Sequence, residues 1–192
     1  MTTEDNYIQN TLKLFTYYKS LGDNTFAQMK DADFFYSTDD RSNSIAIIIQ
    51  HIAGNMLSRW TDFLESDGEK EWRDRDQEFE LYLEDKAACI QKWEDGWQCL
   101  FAALNLVDSE NLSNTIYIRS KGHTVLEAIN RQLAHYAYHI GQLVYIGRSC
   151  VDNWNSLSIA KGTSESYNKK SFGEGQRMEH FTDEFNPTNK KK

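Results

Sequence analysis

The chain has 192 residues, 40% of them apolar, enough for one domain with its own core. A net charge of −8 excludes the usual nucleic-acid binder, which needs clustered positive charge to displace counterions, and equally a partner of anionic membrane surfaces. The single proline, Pro187, leaves almost the whole chain free to be helical, because proline removes an N–H and clashes with the preceding turn.

The opening MTTEDNYIQN is polar and acidic, so no secretory leader is expected. No apolar run approaches the roughly 18 residues of a membrane span. Cys89, Cys99 and Cys150 are odd in number, and their spacing fits neither a disulfide pair nor a metal motif. Free thiols in a reducing, cytoplasmic setting are expected.

Residues 4–29 read as a first helix, with Ile8, Leu12, Phe15 and Tyr18 on one stripe and Gly22 as a candidate interruption. DADFFYSTDDRSNS (31–44) is a loop whose Ser42, Asn43 or Ser44 caps the next helix. That second helix runs over 44–65 on Ile45, Ile49, Ile52, Met56, Trp60 and Phe63. Residues 66–80, SDGEKEWRDRDQEFE, carry both charge signs and read as an ordered, salt-bridged connection with a turn at Asp67-Gly68. A third helix is predicted over 81–105, with Leu83, Ala87, Ile90, Trp97, Phe101 and Leu104 as its stripe. Ile116-Tyr117-Ile118, ending at Lys121-Gly122, is a brief strand or merely extended chain. Thr124 and Glu127 form a capping box for a fourth helix over 125–147, with Val125, Ile129, Leu133, Tyr136, Ile140, Leu143 and Val144 inward. After Arg148 the chain turns polar. Trp154, Leu157, Ile159, Tyr167 and Phe172 are candidates to pin its first part, and the last dozen residues read as loose.

The expected fold is therefore all-α: a four-helix bundle over residues 1–150, then a polar C-terminal extension over 151–192 that is partly packed on it. Metal sites in bundles are built from inward side chains on different helices. RQLAHYAYHIGQ (131–142) places His135 and His139 four apart, hence one above the other on a helix face. This is the spacing of HExxH, with Tyr136 where that motif keeps its glutamate base. His51 lies on a flank of the second helix with Ser44, Ile48 and Asn55. The three histidines together give three neutral imidazole ligands with open coordination positions, the pattern of a catalytic site. On spacing alone, packing or hydrogen bonding accounts for them equally well. Asn55, Arg131 and Gln142 sit about one turn from these histidines, either orienting them, binding an anionic substrate group, or serving as ordinary flank residues. His123 and His180 read as solvated.

Three segments carry a family resemblance: IIIQHIAGNMLSRWTDFLESDGEKEWRDRDQEFE (47–80), AINRQLAHYAYHIGQLVYIGR (128–148) and WNSLSIAKGTSESYN (154–168). They resemble the DinB/YfiT-like superfamily of metalloenzymes, and within it a family known only as a domain of unknown function. The family usually has proline where Ala160 stands, a departure confined to a loop. The resemblance implies a four-helix bundle with a divalent metal on His51, His135 and His139. It also implies a small-molecule substrate, a low-molecular-weight thiol such as bacillithiol as co-substrate in a transferase, and a homodimer. Zinc, nickel, iron, manganese and copper all suit three imidazoles. Two other readings remain open: a non-catalytic bundle that binds a ligand or partner, and a metal-dependent hydrolase.

Overall fold

The first helix, α1 (Thr3–Phe26), starts where Thr2 and Asp5 close a reciprocal capping box, each side chain accepting from the other's backbone N–H at 3.1 Å. In the computed structural model, which describes residues 1–39 and 41–185, it is followed by α2 (Ile45–Trp60), α3 (Lys86–Leu104), a hairpin of β1 (Thr115–Ile118) and β2 (Lys121–Thr124), α4 (Val125–Cys150) and α5 (Ser164–Gly173). The molecule is predominantly helical, with that hairpin as the one sheet among the described residues. Pro187 and the closing lysines lie outside them. No described helix is long and apolar enough to cross a membrane.

Gly22 does not interrupt α1. It lies buried inside it, and a Cβ there would collide with the Trp93 ring of α3. The missing side chain lets the indole lie against the helix, where it also meets Phe26 edge-on at 5.1 Å.

The central element is α2. Ser44 caps it, and Ile45, Ile49, Ile52, Met56 and Trp60 are all essentially inaccessible. Its polar residues Gln50, His51, Asn55, Ser58 and Arg59 are buried too, so each needs a partner or a purpose. Gln50 uses both ends of its amide. Its nitrogen donates to the carbonyls of Glu78 and Glu80, at 3.1 and 2.9 Å, and its oxygen accepts from the N–H groups of Tyr82 and Leu83, both at 3.1 Å. This clamp holds the 3-10 turn Gln77–Phe79 and the extended residues 80–83 against α2. It explains why α3 begins at Lys86, capped by Asp85, and not at 81 as the periodicity suggests. The later start also turns the helix: Cys89, Trp93, Trp97 and Leu100 face the core, while Ala87 is exposed and Ile90 and Phe101 only partly covered.

α2 also ends earlier than predicted. Thr61 is extended and Asp62 adopts a positive φ of 47°, so the chain doubles back until the Ser58 hydroxyl reaches the Gly68 carbonyl at 3.1 Å. The charged connection is ordered by the hairpin as well. Gly68 donates its N–H to the Tyr117 carbonyl at 2.8 Å, and the Asp67 carboxylate accepts from the backbone N–H groups of Arg119 and Ser120 at 2.8 and 2.6 Å. Arg119 and Ser120 form the turn, at φ of 54° and 60°, and two non-glycine residues in that region cost about 1–3 kcal/mol each. Asp67 holds that strain in place. The Ile116–Ile118 run is thus half of a true hairpin whose turn precedes Lys121-Gly122.

α4 begins at the expected Thr124/Glu127 capping box and runs to Cys150 along α1. Beyond it, Trp154 and Leu157 are partly covered, but Ile159 and Phe172 are exposed, so the latter two pin nothing. The return is made further on. Phe181 packs edge-on to Tyr17 of α1 at 5.8 Å, Lys13 pairs with Asp183 at 2.8 Å, and His180 is not simply solvated, because it meets Asn10 at 2.7 Å.

Candidate metal centre

α2 and α4 bring His51, His135 and His139 to one point. His135 Nε2 lies 3.4 Å from His51 Nε2 and 3.1 Å from His139 Nε2, and the three potential ligand atoms all fall within 4.8 Å of one another. Two nitrogens each about 2.0–2.1 Å from a tetrahedral ion stand roughly 3.3 Å apart, so these separations fit a shared ion. His51 is buried, and the other two are partly covered.

The far side of two rings fixes which nitrogen is free. His51 donates from Nδ1 to Glu78 Oε2 at 2.9 Å. His139 donates from Nδ1 to Gln142 Oε1 at 2.7 Å, and the Gln142 amide nitrogen in turn donates to the Tyr138 hydroxyl at 3.1 Å. Both arrangements leave Nε2 with its lone pair directed at the cluster, as a metal ligand requires. Burial, then the neighbouring His139 and His51, push the His135 pKa down to about 3. Burial also lowers His139, against the opposing pull of its bond to Gln142. Both rings are therefore neutral at physiological pH.

Glu78 is the residue that sequence reasoning missed. Its carboxylate accepts from His51 and, through both oxygens, from Arg73, at 2.7 Å to Nε and 2.9 Å to Nη2. Burial alone would raise its pKa, but the bonds from His51 and Arg73 outweigh it and hold the carboxyl below the ordinary range. Gly54 makes room for it. A Cβ at that position, one turn after His51, would overlap the carboxylate. A glycine in the middle of a helix is the signal the sequence offers, because it costs about 1 kcal/mol relative to alanine unless something packs there.

The other expected partners separate. Gln142 contacts a histidine directly. Asn55 contacts none: its Oδ1 accepts from the Tyr136 hydroxyl at 3.0 Å, which itself accepts from Trp60 Nε1 at 3.2 Å. Tyr136, in the place of the HExxH glutamate, is thus fully inside the core, and burial raises its pKa. Arg131 is exposed and lines a cavity of about 260 Å³ that opens beside His51 and His135. The cysteines are all free, and burial raises Cys89 to about 11, which leaves it a protonated, inert thiol.

A helical protein with three converging imidazoles, each outer nitrogen of two of them tied off, is what the fold and site define. Residues 2–163 match the family described as a protein of unknown function (DUF1572), and the chain belongs to that family. No curated protein and no solved structure matches the chain.

Proposed function

We propose that this protein is a divalent-metal-dependent enzyme of the DinB/YfiT-like superfamily, with the four-helix bundle of that group. His51, His135 and His139 hold the ion, and the reaction is transfer of a low-molecular-weight thiol, such as bacillithiol, to an electrophilic small molecule. The observation that carries the metal assignment is the meeting of three Nε2 atoms while Glu78 and Gln142 occupy the opposite nitrogens of His51 and His139. When bound, an ion with an open position lowers the pKa of a thiol presented to it. In the transfer itself, sulfur forms a bond to the electrophilic carbon, the leaving group departs with its electron pair, and the thiol proton goes to solvent. The thiol, its transfer and a homodimer rest on the resemblance.

Hydrolysis fits less well. In the form that uses a protein general base it lacks one, since Tyr136 is locked in the core and Glu78 is committed to His51 and Arg73. Among the described residues no carboxylate lines the adjoining cavity.

Metal analysis of untagged protein tests the assignment. Wild type is expected to carry one equivalent of a divalent ion and His135→Ala none, with both proteins folded. Equal, sub-stoichiometric metal in the two proteins leaves a non-catalytic bundle. Loss of an electrophile at the same rate with and without bacillithiol rejects thiol transfer.

A further inference from the structure

We infer that the cavity beside the histidines is an oxyanion subsite that receives a carboxylate or phosphate group of the substrate. The inference deepens the reading above by naming the substrate class.

The cavity is lined by Arg59, Arg73, Arg75, Arg119 and Arg131 and, among the described residues, by no acidic side chain. That is a sharp reversal in a chain with 21 basic and 29 acidic residues. Glu78 and Glu69 offset part of this charge from behind. Glu78 is occupied by Arg73, and Glu69 is shared by Arg73, Arg119 and Arg59, at 3.3, 3.3 and 3.9 Å. Arg75 and Arg131 form no ion pair among the described residues. Five guanidinium groups therefore face one space with two carboxylates behind them.

Arg59 carries the argument furthest. It is only 4% exposed, and its Nε and Nη1 have no hydrogen-bond partner. A buried guanidinium with open donors is costly unless something satisfies it. Its planar fork matches the paired oxygens of a carboxylate or phosphate. Gln132, 1% exposed on the same wall, has an unpartnered Oε1, an acceptor suited to a hydroxyl or N–H group on the ligand. His51 and His135 form another part of the wall, so an anion held by the arginines places the rest of the molecule against the imidazole cluster. The segment 66–80 and the hairpin turn supply Arg73, Arg75 and Arg119, which explains why these two loops are tied to each other through Asp67 and Glu69.

Calorimetric titration of the full chain in EDTA separates this site from any ion on the histidines. Inorganic phosphate, succinate and uncharged succinamide are the probes. Saturable binding of phosphate or succinate, with none of succinamide, is expected, and the tighter of the two anions names the group. Arg119→Gln and Arg131→Gln, at exposed positions that the fold tolerates, are each expected to weaken it about tenfold, and added salt to weaken it further. Arg59→Met is expected to abolish it while raising the melting temperature of the free protein, since a buried guanidinium with two unsatisfied donors and only a long ion pair to Glu69 is removed. No saturable anion binding, or binding unchanged in the Arg119→Gln/Arg131→Gln double variant, overturns the proposal. Anion binding by a wild-type protein that takes up no divalent ion in the metal analysis sinks the metal assignment and leaves this site standing.

Discussion

The two ends of the histidine cluster are built differently. On the α2 side, His51 is buried and backed by a full negative charge, itself braced by Arg73. On the α4 side, His139 is only partly covered and backed by a neutral amide that leans on an exposed tyrosine. A carboxylate makes an imidazole a stronger donor than an amide does, and a dry setting amplifies the difference. The contrast teaches that the anchor of the site is His51 with its loop, while His139 is the ring free to adjust.

The comparison is sharpest at Glu78. Glu78→Gln is expected to cost 10–100-fold in metal affinity, about the range for outer partners of ligand histidines. It also strands part of the Arg73 charge, at about 3 kcal/mol of stability, read by denaturant titration. Gly54→Ala tests the same contact sterically. The new methyl group displaces the carboxylate, so metal affinity is expected to fall about tenfold, although alanine favours the helix by roughly 1 kcal/mol. An alanine variant that gains stability with unchanged affinity would mean that Glu78 does not tune His51. Gln142→Ala is expected to cost less than tenfold in affinity, because the lost partner is uncharged and partly solvated. A larger loss there than at Glu78 reverses the ranking of the two ends.

The smallest effect is on the metal-free protein. His135, at about 3, and His139 both sit below the unfolded value of 6.5, so the neutral rings favour folding above that value. Their contribution is lost as pH falls from 6.5 toward 3, because the unfolded chain takes up protons that the folded one refuses. Thermal melts in EDTA are expected to show lower midpoints at pH 5 than at pH 8. The His135→Ala protein is expected to show a shallower decline.

The three histidines were legible because helical phase is arithmetic. A four-residue spacing on one helix and a flank position on another are readable without coordinates. Gln142 was legible for the same reason, one turn beyond His139. Glu78 was not. It lies in a segment with no period, and its position depends on Gln50, whose four hydrogen bonds reach residues about thirty positions away. That clamp also shifted the start of α3 and so rotated its core face. The hairpin turn escaped because Arg119-Ser120 lacks the glycine or asparagine that usually marks such a turn, and its positive φ values are held by Asp67 across a long loop. Arg59 and Gln132 lay on predicted helices, but nothing in a helical pattern tells that a buried guanidinium has no partner.

The Gln50 clamp has a thermodynamic consequence. The segment from Asp67 to Leu83 supplies the brace of His51 and two of the cavity's five arginines, yet it contains almost no regular structure of its own. Such segments open locally at less than the global unfolding free energy. Any molecule that binds the closed form raises the energy of opening by its own binding free energy. The amide hydrogens of Tyr82 and Leu83, donated to a single glutamine side chain, therefore act as a built-in gauge: their exchange rate reports how full the site is.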